Sequence, residues 1–213
     1  MPIAINYLIG AMILWDILYR SQQGITLSLT EEFWSKNIIN IFITPIRTYE
    51  LVIALCIIGF LKAFMTMGFL ILISWYLYQF NLFDLGFSLA PFIGNLILFG
   101  WSIGMMTMSL VLRYGNAADA FIWGIPFLIQ PISAVFYPVD VLPPFLKFCA
   151  YALPSTYIFE GMRTVLNEGV FNISLVYLSF CMNLLYLSAG AFYFSWMLRR
   201  VREKGLLSKT SIE

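Results

Sequence analysis

The 213-residue sequence contains no histidine. A Ser-His relay, an HExxH zinc site and a histidine proton relay are therefore excluded. Charge is also scarce: Asp, Glu, Lys and Arg make up 11% of the chain and leave a net charge of +1, which offers no basic field for nucleic acid. Of the three cysteines, Cys56, Cys149 and Cys181, the first and last fall inside apolar runs. No CxxC pair occurs, so neither a disulfide framework nor a thiolate metal site is indicated, and the thiols read as packing groups. The pattern GxxxxGK(S/T) is missing as well, so the chain has no P-loop of its own for ATP hydrolysis.

What fills the sequence instead is apolar: 61% hydrophobic residues, 18% of the chain aromatic. That leaves too little polar surface for a water-soluble globule and points to an all-α integral membrane protein, a single transmembrane unit over residues 1–213. A crossing needs roughly 20 apolar residues, and five runs approach that length: 3–19, 51–78, 88–112, 118–137 and 174–198. The runs are continuous and do not alternate in period two, which favours helices over a barrel. The first has no basic flank and no small-residue cleavage site, so it reads as a retained span and not a signal peptide.

Basic residues orient the spans. The 20–50 connection carries Arg20, Lys36 and Arg47, the 113–118 link Arg113, and the tail Arg199, Arg200, Arg202, Lys204 and Lys209. The opposite side holds Lys147 and Arg163 alone, and Lys62 lies within a span. By the positive-inside rule the richer side is cytoplasmic, which places the C-terminus inside and the protein in the cytoplasmic (inner) membrane as a multi-pass chain.

The cytoplasmic connection contains TEEFWSKNIINIFITPIRTYE, residues 30–50. Ser28 and Thr30 are candidate caps, Glu31 and Glu32 suit the positive end of a first turn, and Pro45 should stop a helix over 30–43. At 100° per residue, Trp34, Ile38, Ile41 and Phe42 share one face, while Lys36, Asn37, Asn40 and Phe33 share the other. Such a helix either lies in the membrane interface, anchored by Trp34, or docks on a cytoplasmic partner through the face carrying Phe33.

A second unusual stretch, IPFLIQPISAVFYPVDVLPPFLKFCAYALPSTYIFEGMRTVL at 125–166, holds six of the nine prolines. Pro126 and Pro131 predict an irregular fourth span. Within the outer region 138–168, two apolar pieces, 143–152 and 156–166, are too short to cross and are either re-entrant helices or helices resting on the outer leaflet. Glu160 and Arg163 stand at i,i+3 spacing, a pair that gains weight if buried beneath Tyr151 and Tyr157.

Lys62 is the isolated charge of the spans. It snorkels, pairs with an acid such as Asp16, or faces a translocation path and meets an anionic group there. GWSIG, Gly100–Gly104, matches a nucleophile elbow in letters only; mid-span and without histidine it reads as a small-xxx-small packing face. Met65, Met67, Met105, Met106 and Met108 read as adaptable filling between helices. Asn172-Ile-Ser174 fits a short glycosylation pattern.

In order and spacing these features resemble the permease subunit of an ABC transporter of the type-2 exporter class. EEFWSKNIINIFITPIRTYE is similar to that family's acidic-aromatic helix, hydrophobic-Ser/Thr-Pro turn and span-opening Glu. QPISAVFYPVDVLPPFLKFCAYALPSTYIFEGMR resembles its proline-bounded outer region, which ends in Leu-Pro, an aromatic, Glu and Arg. The resemblance covers nearly the whole chain. It implies a coupling helix with Glu31, Glu32, Phe33, Lys36 and Asn37 at the ATPase contact, and two outer re-entrant helices with Tyr137, Tyr151, Pro154, Tyr157, Glu160 and Arg163 near the exit. Lys62 is the path candidate. The implied partners are two copies of an ATPase subunit, a second copy of this chain and membrane lipid. ATP and magnesium belong to the ATPase, with no cofactor or enzyme site in this chain. The family usually has six spans, so the five found here correspond to a chain lacking its first. A non-transporting membrane scaffold is the alternative.

Overall fold

A computed structural model describes residues 3–35 and 37–203, apart from the side chains of Ile3, Ala4, Phe33, Ile38, Ile39, Phe42, Asn116 and Asp119. All regular structure among these residues is helical: α1 Ile3–Trp34, α2 Ile38–Ile43, α3 Thr48–Tyr78, α4 Leu89–Tyr114, α5 Asp119–Ile132, α6 Pro144–Tyr151, α7 Pro154–Glu168 and α8 Ile173–Glu203. Three segments are long and apolar enough to cross a membrane, Thr48–Tyr78, Leu82–Tyr114 and Ile173–Glu203.

The other two expected spans differ in instructive ways. α1 does not stop at residue 19. No proline or glycine pair interrupts residues 3–34, and the polar side chains Ser21, Gln22, Gln23, Thr26 and Thr30 are buried instead of looped out. Ser21, Thr26 and Thr30 hydrogen-bond to carbonyls four residues back, which satisfies hydroxyls inside a packed helix. Arg20 therefore sits mid-helix and leaves the cytoplasmic tally, which falls to eight basic residues against two. Ser28 and Thr30 are interior residues of α1, not caps.

The fourth run makes only a 14-residue helix, about 21 Å long against a hydrocarbon core of about 30 Å. Pro126 and Pro131 lie inside it without breaking it. Pro126 forgoes one backbone bond within a continuing helix, and Pro131 sits in the last turn, so the expected irregularity is confined to the end of the run.

α1 lies between α3 and α4, and α8 packs on the other side of α4. Glycines set these crossings. A Cβ on Gly24 would stand 2.2 Å from the Cα of Gly59, one on Gly100 2.6 Å from the Leu18 carbonyl, and one on Gly190 2.9 Å from the Ser102 carbonyl. Gly100 and Gly104 thus form a backbone-to-backbone seam with α1, as small-residue spacing allows. Two apolar clusters fill the row. One gathers Leu14, Trp15, Phe92, Phe99 and Phe159; the other gathers Ile25, Leu29, Leu55, Met105, Met108, Phe194 and Met197. Met65 is not filling: its side chain is 77% exposed.

Positive φ marks the joints that need it. Gly115 ends α4 at φ 57° and Gly169 ends α7 at φ 69°, values that an L side chain rarely tolerates. The outward faces of α3 and α8 remain apolar, with Ile57, Leu61, Phe69, Leu72, Trp75, Leu185 and Phe192 exposed. Helices apolar all round are suited to lipid or to another apolar surface.

Candidate functional site

The joint between α1 and α3 is built from local side chains. Ser35 N–H still donates to the Glu31 carbonyl and Asn37 N–H to that of Glu32, so α1 unwinds over one turn. The Asn37 amide donates to Glu32 Oε2 at 2.7 Å, and Asn40 donates to Asn37 Oδ1 at 3.0 Å. α2 then ends two residues before Pro45. Glu50, third residue of α3, accepts the Arg47 backbone N–H at 2.8 Å and caps the helix it begins.

The single helix expected over 30–43 is therefore two pieces. The face assembled from Trp34, Ile38, Ile41 and Phe42 assumed an unbroken 100° step, and the chain leaves the helix between Trp34 and Ile38. Glu31 is exposed, Glu32 and Asn37 are half-buried, and Trp34, 51% exposed, closes α1. Lys36 and the Phe33 side chain lie outside the described residues.

A denser arrangement lies at the other end of α1. Arg163 Nη1 reaches Glu160 Oε1 at 2.5 Å, and Nη2 donates to the Ala134 carbonyl at 3.1 Å, to the Tyr137 carbonyl at 2.9 Å and to the Tyr7 hydroxyl. Its guanidinium also lies over the Tyr7 ring, 4.6 Å from the centroid. Glu160 Oε1 accepts the Val139 N–H at 2.8 Å, and Tyr7 donates to the Val135 carbonyl at 2.5 Å. One planar fork thus ties α1, the turn after α5 and α7 together, a task its five fixed donors suit. Ala134, at φ 52°, holds its carbonyl in that fork.

The expected outer residues divide. Glu160, Arg163 and Tyr137 converge, whereas Tyr151 and Tyr157 form a separate pair with ring centroids 6.2 Å apart. The ion pair is covered by Tyr7 and the turn, not by Tyr151 and Tyr157. Tyr157 donates to the Tyr151 carbonyl at 2.8 Å, which bends α7 back on α6. Pro154 is buried at the start of α7, and its carbonyl accepts the Ser179 hydroxyl of α8 at 2.9 Å. Ser133 and Ser155, Oγ atoms 2.8 Å apart, add a second tie between the turn and α7.

Tyr7 and Ala134 gave no signal in sequence. Tyr7 is 156 positions from Arg163, and a lone tyrosine in an apolar run is ordinary. Lys62 is exposed on α3, and Asp16, its possible partner, instead takes Arg20 Nε at 3.3 Å. Among the described residues no group of His, Cys, Asp or Glu side chains converges as a metal site. No protein-family model matches this chain, and no curated protein matches it.

Proposed function

We propose that this chain is the membrane-spanning subunit of an ATP-driven exporter, paired with a second copy of itself and coupled to a separate ATPase through residues 31–43. The observation carrying this reading is the separation of two specialised structures along one helix. Tyr7, near the start of α1, belongs to the Arg163 cluster with α7, whereas Trp34, at its end, leads into α2. The intervening 27 residues span about 40 Å at 1.5 Å per residue, more than a hydrocarbon core of about 30 Å. A partner-facing joint on one side of a membrane and a braced cap of short helices on the other suit a machine driven from within that releases outward. The exposed apolar faces of α3 and α8 supply area for lipid and for a second copy.

In this reading ATP and magnesium act in the ATPase; α2 and the last turn of α1 receive its movement, and α1 carries it toward the outer cap. The test is co-purification of ATPase activity with the tagged chain from native membranes. Phe33→Ala and Glu31→Lys are expected to leave the protein inserted and dimeric while lowering ATPase recovery, Phe33→Ala by roughly thirtyfold if it anchors the contact with about 2 kcal/mol. Trp34→Ala should retain the ATPase. Equal recovery in wild type and Phe33→Ala rejects the coupling assignment, and a chain that carries no ATPase at all is the scaffold.

A further inference from the structure

The groove between α1 and α3 has a composition unlike the surfaces around it. Its cavity of about 310 Å³ is lined by Arg20, Gln23 and Leu27 of α1 and by Lys62, Met65 and Thr66 of α3, with Gly24 at its floor. The Gly24–Gly59 crossing lets the two backbones nearly touch, and antiparallel running then brings residue 20 or 21 opposite residue 62. Two cations from separate helices consequently share one recess.

Three side chains there have donor groups without acceptors. Arg20 gives Nε to Asp16, but neither of its Nη groups has a hydrogen-bond partner among the described residues. Lys62 Nζ has none either, and its Thr66 neighbour spends its hydroxyl on the Lys62 carbonyl at 2.9 Å. Gln23, 5% exposed, has an amide nitrogen that is buried and unpartnered. Asp16 pairs with Arg20 and offsets one charge, but no acid lines the recess, so the lining stays positive.

Position makes this costly. Lys62 stands 14 residues after Thr48 and 16 before Tyr78, about 21 Å and 24 Å from the two ends of α3, too deep for its side chain to reach either. A lone ammonium at the centre of a spanning helix costs about 2.5–3.5 kcal/mol on insertion scales, and an anion in the recess would offset that cost.

We propose that this groove binds a phosphate group. Arg20 and Lys62 bring a guanidinium fork and an ammonium to one recess from two helices, with the buried, unpartnered Gln23 amide in its wall, a set that suits an anion with several oxygens better than a planar carboxylate. The volume lies at the small end of ligand sites, fitting a head group and not a whole amphiphile. Leu27 and Met65, 77% exposed, border the recess and offer an apolar edge for an attached chain. As a binding site the groove stands on its own; that the phosphate belongs to exported cargo rests on the exporter reading.

The test is lipid retention by the full chain, without ATPase, released for native mass spectrometry from phosphatidylcholine nanodiscs doped with phosphatidic acid. Wild type should retain phosphatidic acid in preference to phosphatidylcholine. Lys62→Gln, at an exposed side chain that leaves packing intact, should lower that preference by about tenfold, the loss expected for one charge-assisted contact. Lys62→Arg should keep it, Gln23→Leu should weaken it, and Lys147→Gln, a basic residue far along the chain, should leave it unchanged. Added millimolar inorganic phosphate separates the sources: displacement assigns the site to the free anion, and retention to the lipid head group. Equal preference in Lys62→Gln and wild type, or an equal loss in Lys147→Gln, overturns the proposal. Because the assay contains no ATPase, a failure of coupling in the co-purification experiment leaves its outcome untouched.

Discussion

At the scale of single residues, Arg163 carries more of the architecture than any spacing rule assigns it. Its side chain is 12% exposed and serves a carboxylate, a hydroxyl and two carbonyls. Removing it leaves Glu160 charged and partly enclosed, so Arg163→Ala should cost about 3 kcal/mol, read as a lower melting temperature by size exclusion after heating. Arg163→Lys should recover only a minor part, because one ammonium cannot reproduce the fork. Tyr7→Phe should cost about 1 kcal/mol alone and little more in the Arg163→Ala background, since the two share one cluster. Equal melting temperatures for Arg163→Ala and wild type refute the bracing role. The Glu160–Arg163 spacing was readable in sequence because three residues along a helix bring side chains together. Tyr7 and the Ala134 carbonyl were not, since only chain folding brings them there.

At the scale of elements, the seams are made by what is missing from side chains. Gly24→Ala would drive a Cβ into the Gly59 backbone, which cannot yield as a flexible side chain can. It should destabilise by at least about 1–3 kcal/mol, as overpacking does. Gly68→Ala, in α3 with nothing within 4 Å of the added carbon, should be neutral or gain about 0.5–1 kcal/mol from helix propensity. Comparable melting losses in the two variants would show that propensity, not the α1–α3 contact, governs position 24. The long helices α3, α4 and α8 were visible as apolar runs because a helix able to cross a membrane must be apolar along its length. The extent of α1 was not. Polar residues 21–30 look like a connection by composition, yet α3 and α4 enclose them and the helix's own carbonyls satisfy their hydroxyls. Likewise the break between α1 and α2 appears only once Asn37 and Glu32 are seen to bond across it.

At the scale of the whole molecule, moving Arg20 into α1 leaves the sign of the charge asymmetry intact. In a background with all three cysteines replaced, cysteines at positions 36 and 204 should react with an impermeant maleimide only in inverted vesicles. A cysteine at position 140, where Asp140 has a side chain 91% exposed, should react only in intact cells. Labelling of position 36 from outside reverses the orientation on which the exporter reading depends.

Composition by itself pointed to long apolar helices, because so few charged and so many apolar residues favour segments that satisfy their backbone hydrogen bonds internally, and three such helices are long and apolar enough to cross a membrane. The two short apolar pieces read at 143–152 and 156–166 are helices Pro144–Tyr151 and Pro154–Glu168, each begun by a proline at a first helical position that needs no N–H. Tertiary structure decided what no run of letters carries: that α1 continues through a polar stretch, that Arg163 finds Tyr7, and that Arg20, Gln23 and Lys62 meet in one recess. Each depends on groups from distant parts of the chain, and their proximity follows from which helix faces pack together, a property of the assembled row rather than of any segment within it.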